Sequence, residues 1–355
     1  VQALPSFFIR WPVAFFSAFS LAGSAVADCV SENPQLVHWI HLQDGETTCA
    51  QANAVVRTLT QVLPNLRDLI QPPPLALLMA HRGFSSDFRA PDLLQITELS
   101  DVGDHPGPTS PAAISQPAWI HELGHAFFSA NLAPQSSTYQ NLMTYLGRRN
   151  QLAVRDFQLF DQRTNVRALL RSSNISRRQR DAAGAELARI DAQSEQLENE
   201  STAYLIDGPG LSRAETRLDR AVTPYDEFFA DVVAVVSTDD PQALSKSLDD
   251  PTLRGLDRLD IEGRDFSYPS QAQTWTARED HILLAPARFA CWGFYLQAKK
   301  TSTKSQFISA VFRAIAQEIL HHRPKDPYVM NLQLIRRMQR ELRPFTTNAL
   351  PTTRF

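Results

Sequence analysis

The sequence predicts an α+β fold, predominantly helical, with a small N-terminal sheet, a helical insertion and a helical C-terminal half. Three observations predict it. Two short apolar runs, "LALLMAH" after Pro72-Pro73-Pro74 and "LLQITELS" at 93–100, have the length and flanks of strands. A stretch from about 150 to 222 is rich in Arg, Ala, Gln and Glu and keeps its sparse apolar residues near one helical face. Beyond residue 275, "HILLAPARFACWGFYLQAKK", "SQFISAVFRAIAQEIL" and "DPYVMNLQLIRRMQRELR" read as helices. With 355 residues, 43% hydrophobic and 21% charged, the chain can bury a sizeable core.

The remaining elements follow in order. Residues 28–50 read as irregular. Apolar residues from Val55 to Leu66 then fall at helical spacing, interrupted near Pro64. A loop after residue 100 leads into a helix that starts near Pro117. Within the insertion, Leu187, Ile190 and Leu197 mark one or two exposed helices joined near "SSNIS". No heptad pattern is sustained there, so a solvated hairpin packed on one side is expected rather than a coiled coil. "PYDEFFADVVAVVS" is a further helix, and a turn-rich stretch from about 238 to 275 follows it. The chain therefore divides into 1–27, 28–149, 150–222 and 223–355.

Arg10 precedes "WPVAFFSAFSLAGSAVA", which ends in Ala25-Val26-Ala27. A positive start, a short apolar run and an A-x-A end describe a secretory signal peptide cut after Ala27. The expected location is secreted or periplasmic; a membrane anchor formed by an uncleaved N-terminal segment is the alternative. After cleavage, no remaining segment is long and apolar enough for a stable membrane span. Cys29 and Cys49 can close a small loop in an oxidising compartment, whereas Cys291 reads as a buried free thiol. With no C-x-x-C pair, a zinc–cysteine site is not expected. The net charge of -3 provides no global basic field, which argues against a nucleic-acid partner.

The segment "WIHELGHAFF" holds His121, Glu122 and His125 as H-E-x-x-H. On a helix, positions i and i+4 share a face, so both imidazoles can address one ion. Zinc accepts such nitrogens, and Glu122 beside the first ligand can take a proton from water. Chance gives the string in on the order of 1% of such sequences, so the motif is informative without being decisive. Its apolar neighbours Trp119, Ile120, Leu123, Phe127 and Phe128 make this a deeply packed helix. Burying two histidines and a glutamate there without a partner would be costly, and a metal removes that cost.

A third protein ligand is required. The pattern H-E-x-x-H-x-x-G-x-x-H fails, because Phe128 and Asn131 occupy its last two fixed positions. "TPYDEFFADVV" instead offers Glu227 and Asp231 at i and i+4 among Phe and Val residues. Glu227 would complete a His-His-Glu set, and Asp231 would accept the free ring N–H of His121.

H-E-L-G-H on one helix with E-x-x-A-D on a later one resembles the gluzincin group of zinc metallopeptidases, the thermolysin-like and aminopeptidase-like clan. The resemblance covers these two helices and the strands before the first, about a third of the chain. It implies a zincin-like catalytic core and one zinc per chain at His121, His125 and Glu227. It further implies Glu122 as general base, Asp231 as the residue orienting a ligand histidine, and a peptide or protein substrate. Glu227 follows His125 by 102 residues, far more than is usual in the clan, so the 150–222 region would be an insertion between the metal helices. Such an insertion costs little if its ends emerge close together.

A group is also needed to stabilise the oxyanion. His281, just before a helix in "DHILLAPAR", is the first candidate by position; Tyr225 and Arg288 are the others. The expected function is an exported zinc metallopeptidase that hydrolyses peptide bonds with metal-activated water. The alternatives are a zinc amidohydrolase on a non-peptide amide and a catalytically silent zinc-binding scaffold.

Overall fold

The structure, a computed structural model, describes residues 28–43, 47–83, 87–100, 110–111, 116–206, 208, 210–248, 263–268, 283–321 and 326–346. Residues 1–27, where a signal peptide is expected, and His281 lie outside the described residues.

Among the described residues, six strands form one mixed sheet: β1 (Asp28–Cys29), β2 (Val37–Leu42), β3 (Leu75–Gly83), β4 (Asp87–Arg89), β5 (Leu93–Ser100) and β6 (Ser110–Pro111). Its order is β1-β2-β3-β5-β4, with β6 pairing to β5 as well. The three long central strands run parallel, and β1, β4 and β6 are antiparallel additions. The two expected strands are β3 and β5. Strand β2 corrects the expectation that 28–50 is irregular: "VHWIHL" mixes three polar or amphipathic rings into the run and so hides its alternation. A register shift between Val37 and Trp39 disturbs the pattern further.

Both faces of the sheet are covered. Val37, Ile40, Leu75, Leu77, Leu94 and Ile96 point into the main core under α1 (Cys49–Val62) and α2 (Gln116–Leu132). Ala76, Leu78 and Leu93 face the other way, where Trp39 joins Val154 and Phe157 of α3 (Ser137–Arg171). This is the period-two alternation of strands buried on both sides. Helix α1 begins with a capping box of Thr48 and Gln51 and yields to a 3₁₀ turn at Leu63–Leu66, where Pro64 lies. The Cys29–Cys49 disulfide ties β1 to the start of α1.

Helix α3 and helix α4 (Arg177–Leu205) form the expected hairpin, turning at Ser172–Ser176. Ala183, Ile190 and Leu197 of α4 are buried, and most other α4 residues are exposed or half-buried. The expected boundaries at 150 and 222 fall inside continuous helices. Helix α3 starts at Ser137, and α5 (Arg213–Thr238) runs through residue 222 with Pro224 inside it. One turn of missing hydrogen bonding at Pro224 is outweighed by the packing of the apolar run that follows. The chain closes with α6 (Ala243–Leu248), α7 (Ala285–Ala298), α8 (Lys304–His321) and α9 (Pro327–Leu342).

Helix α2 is the centre of the molecule. From Trp119 to Leu132 only Ala130 escapes full burial, as befits a helix apolar on all sides. Its closest neighbour is α5. A Cβ added at Gly124 would lie 2.7 Å from the Cα of Ala230, so the two backbones touch at this point. A glycine facing an alanine permits that approach. Gly124→Ala should force α2 and α5 apart and lower stability by about 1–3 kcal/mol, the usual cost of overpacking. Urea denaturation would measure it, and an unchanged midpoint would contradict the close contact.

Candidate metal centre

The contact at Gly124 and Ala230 sets the geometry of everything around it. His121 and His125 lie on the α2 face that meets α5, and their Nε2 atoms are 3.0 Å apart. Their rings cross edge to face with centroids 4.6 Å apart. From α5, Glu227 brings Oε2 to 3.5 Å from His121 Nε2 and Oε1 to 3.8 Å from His125 Nε2. Three ligands at tetrahedral positions about 2.0–2.1 Å from one ion lie roughly 3.3 Å apart. The spacing of these three groups is close to that.

The outer ring nitrogens explain why the inner ones converge. His121 Nδ1 lies 2.9 Å from Asp231 Oδ1, and His125 Nδ1 lies 2.7 Å from Asp226 Oδ1. A carboxylate takes only donors, so each Nδ1 carries a hydrogen: His125 donates its own to Asp226, and that of His121 lies beside Asp231. In the neutral rings both Nε2 atoms then present lone pairs to one buried space. Two lone pairs at 3.0 Å repel unless a cation or protons lie between them. His121, Glu122 and His125 form a group whose ligand atoms all lie within 4.8 Å of one another, and it could hold a metal ion. Glu122 belongs to that group, and Glu227 approaches both nitrogens from α5.

Asp231 is wholly buried and is held on three sides. Arg288 meets its Oδ2 through Nε at 2.7 Å and through a terminal nitrogen at 2.6 Å. Arg264 approaches Oδ1 at 3.6 Å, and His121 takes the remaining position. Burial alone would raise the Asp231 carboxyl; Arg288, Arg264 and His121 overcome it and hold the group well below the usual carboxylate range. Burial is likewise the main influence on Arg288, which sits below its ordinary value.

Four carboxylates, Glu122, Asp226, Glu227 and Asp231, gather around the two imidazoles, with Arg264 and Arg288 beside them. Burial pushes both histidines down, yet the surrounding carboxylates win: His121 is raised, and His125 is raised to about 10.

The sequence-derived candidates separate clearly here. His121, Glu122, His125, Glu227 and Asp231 come together, and Asp231 faces His121 as expected. Tyr225 is buried, and burial and then the charge of Glu318 raise its hydroxyl above the ordinary value. Arg288 has no exposed surface and is committed to Asp231. Glu200 of α4 pairs with Arg148 and Arg155 of α3.

Two residues were missed by sequence reasoning. Asp226 precedes Glu227 directly, and the signal was present: His125 needs an acceptor of its own. Arg264 donates to Glu227 Oε2 at 3.2 Å from a segment pinned by the buried Phe266, whose N–H bonds to Pro241 O. Nothing local in the sequence points to it. Phe88 of β4 lies face-on to His125 with ring centroids 6.3 Å apart. Asn150 of α3 holds that turn by donating to Arg89 O, Ala90 O and Asp92 Oδ1.

No family model, no curated protein and no solved structure matches the chain.

A pH dependence follows from the histidines. In chelator-treated protein, protonated His125 in its raised state stabilises the fold fully below about pH 6.5, the unfolded value. That contribution is lost as pH rises through about 10. A divalent cation must displace these protons, so its affinity should weaken as pH falls. Titration calorimetry in buffers of different ionisation enthalpy should detect up to two protons released per ion near neutrality. Zinc binding without proton release would contradict the arrangement.

Proposed function

We propose that the chain is an exported zinc-dependent metallopeptidase of gluzincin type. One observation carries the reading: two Nε2 atoms at 3.0 Å, each ring fixed from behind by a carboxylate, with Glu227 closing the third side. His121, His125 and Glu227 would hold the ion. Once bound, zinc supplies a Lewis acid that polarises a carbonyl and lowers the pKa of water. The disulfide between Cys29 and Cys49 supports export, because such bonds persist in oxidising compartments.

The residues of the chain have distinct parts in this reading. Glu122, 8% exposed, removes the proton from the attacking water and returns it to the leaving amine. Asp231 and Asp226 fix the tautomer and orientation of His121 and His125. Arg264, whose side chain is 13% exposed beside Glu227, takes the oxyanion role first sought at His281. Its guanidinium can turn from Glu227 towards negative charge developing on a substrate carbonyl. Asp226 at 24% and Glu227 at 17% side-chain exposure mark the open side of the site, where substrate would enter.

Metal analysis with activity assays on a mixed peptide library tests the proposal. Wild type should carry about one zinc per chain. Glu122→Gln should keep the zinc and lose about a hundredfold or more in hydrolysis. Glu227→Ala should bind zinc more weakly. Folded wild type that takes up no zinc would overturn the reading, and full activity in Glu122→Gln would remove the base.

Arg264→Gln should keep zinc and lower kcat by about 10²–10³ with a smaller change in KM, as for loss of an oxyanion donor. An unchanged kcat would exclude Arg264 from that role.

A further inference from the structure

Helix α7 begins without a cap of its own. Its N-cap residue is Leu284, whose side chain offers nothing to the unpaired N–H groups of the first turn. The cap comes from α9 instead. Asn331, which has no exposed surface, accepts from Ala287 N at 3.0 Å and donates to Leu283 O at 2.7 Å. Its second amide hydrogen goes to Pro327 O in its own helix. One side chain thus spends its oxygen and both hydrogens on joining the start of α7 to α9. The residue after Ala287 is Arg288, so the arginine leaves α7 from this clamped turn.

Arg288 aims two nitrogens at a single oxygen. Its Nε donates to Asp231 Oδ2 at 2.7 Å, and a terminal nitrogen lies 2.6 Å from the same atom. The Phe228 ring lies beside the guanidinium, 5.9 Å from its central carbon. A planar fork on one oxygen fixes the rotation of the carboxylate as well as its charge. The other oxygen, Oδ1, is then the one turned to His121 Nδ1, 2.9 Å away. Arg264 stands 3.6 Å from Oδ1, beyond hydrogen-bond distance, and so exerts a weaker directional hold.

We propose that Arg288, braced by Asn331, is a positioning residue for His121. It acts through Asp231 and keeps the imidazole with Nε2 turned to the space shared with His125 and Glu227. The two C-terminal helices thereby shape the site without contributing a ligand. A lysine would keep the positive charge yet meet Asp231 at one point, so Arg288→Lys separates geometry from charge. The effect on zinc rests on the metal site proposed above; the orientation of His121 needs no metal.

Nuclear magnetic resonance of chelator-treated protein with isotope-labelled histidine reads both rings. The hydrogens on His121 Nδ1 and His125 Nδ1 face carboxylates in buried positions and should give two separate downfield signals. Arg288→Lys should move the His121 signal and leave in place the His125 signal, which reports on Asp226. Asn331→Ala should move the His121 signal less, and it decides the matter if Arg288→Lys does not fold. Competition with a chromophoric chelator should show zinc bound about 10–100-fold more weakly by Arg288→Lys, as for other groups that orient a ligand histidine. In an Asp231→Asn background the same change should cost no more than about twofold, because the path through Asp231 is already cut. An unmoved His121 signal in either folded variant overturns the proposal, as does zinc affinity equal to wild type in Arg288→Lys or a full further loss beside Asp231→Asn. Both signals moving together would mark general disruption and overturn it too. A wild type that binds no zinc, with the His121 signal alone moved by Arg288→Lys, would leave Arg288 in its role and end the metallopeptidase reading.

Discussion

The site depends on one close approach, the contact of α2 and α5 at Gly124 and Ala230. A side chain at either helix that held the backbones further apart would draw Glu227 and Asp231 away from the imidazoles. Both helices are long, rigid and buried along most of the contact, so the position of one acid sets the others. The apolar residues around the acids, Phe228, Phe229, Val232 and Val233, supply the burial that makes this packing favourable. The same burial raises the cost of every charge within it.

That cost is met by pairing rather than by solvent. Asp231 has no contact with water and is kept ionised by two guanidinium groups and an imidazole. The carboxylates crowd the two histidines and raise both of them, and His121, Glu122 and His125 could hold a metal ion. Stability and chemistry therefore share the same groups. The helical hairpin stands apart: α4 contributes few buried side chains and no group to the described site, although α3 clamps the turn that places Phe88 beside His125.

Much of this was legible in one dimension because helices repeat. The four-residue spacing of His121 and His125, and of Glu227 and Asp231, assigns each pair to one face before any tertiary contact is known. Strands β3 and β5 were readable as apolar runs between turn residues, whereas β2 was not, because His38, Trp39 and His41 interrupt its pattern. Asp226 was passed over because neighbouring residues on a helix point about 100° apart. A ligand pair whose rings face opposite ways uses both directions at once. Arg264 had no local signal; its place depends on the fold of a segment held by Phe266 and by Gln242 bonding Asp265.

The sequence by itself determined the helical class, the two halves of the site and the identity of most polar groups within it. These rest on periodicity and on the cost of burying charge, both of which act over a few residues. Only the tertiary structure decided that the halves meet across 102 residues, which ring nitrogen each acid holds, and which arginine reaches Glu227. Those are matters of distance between helices. They depend on the summed packing of the whole core, which no local spacing encodes.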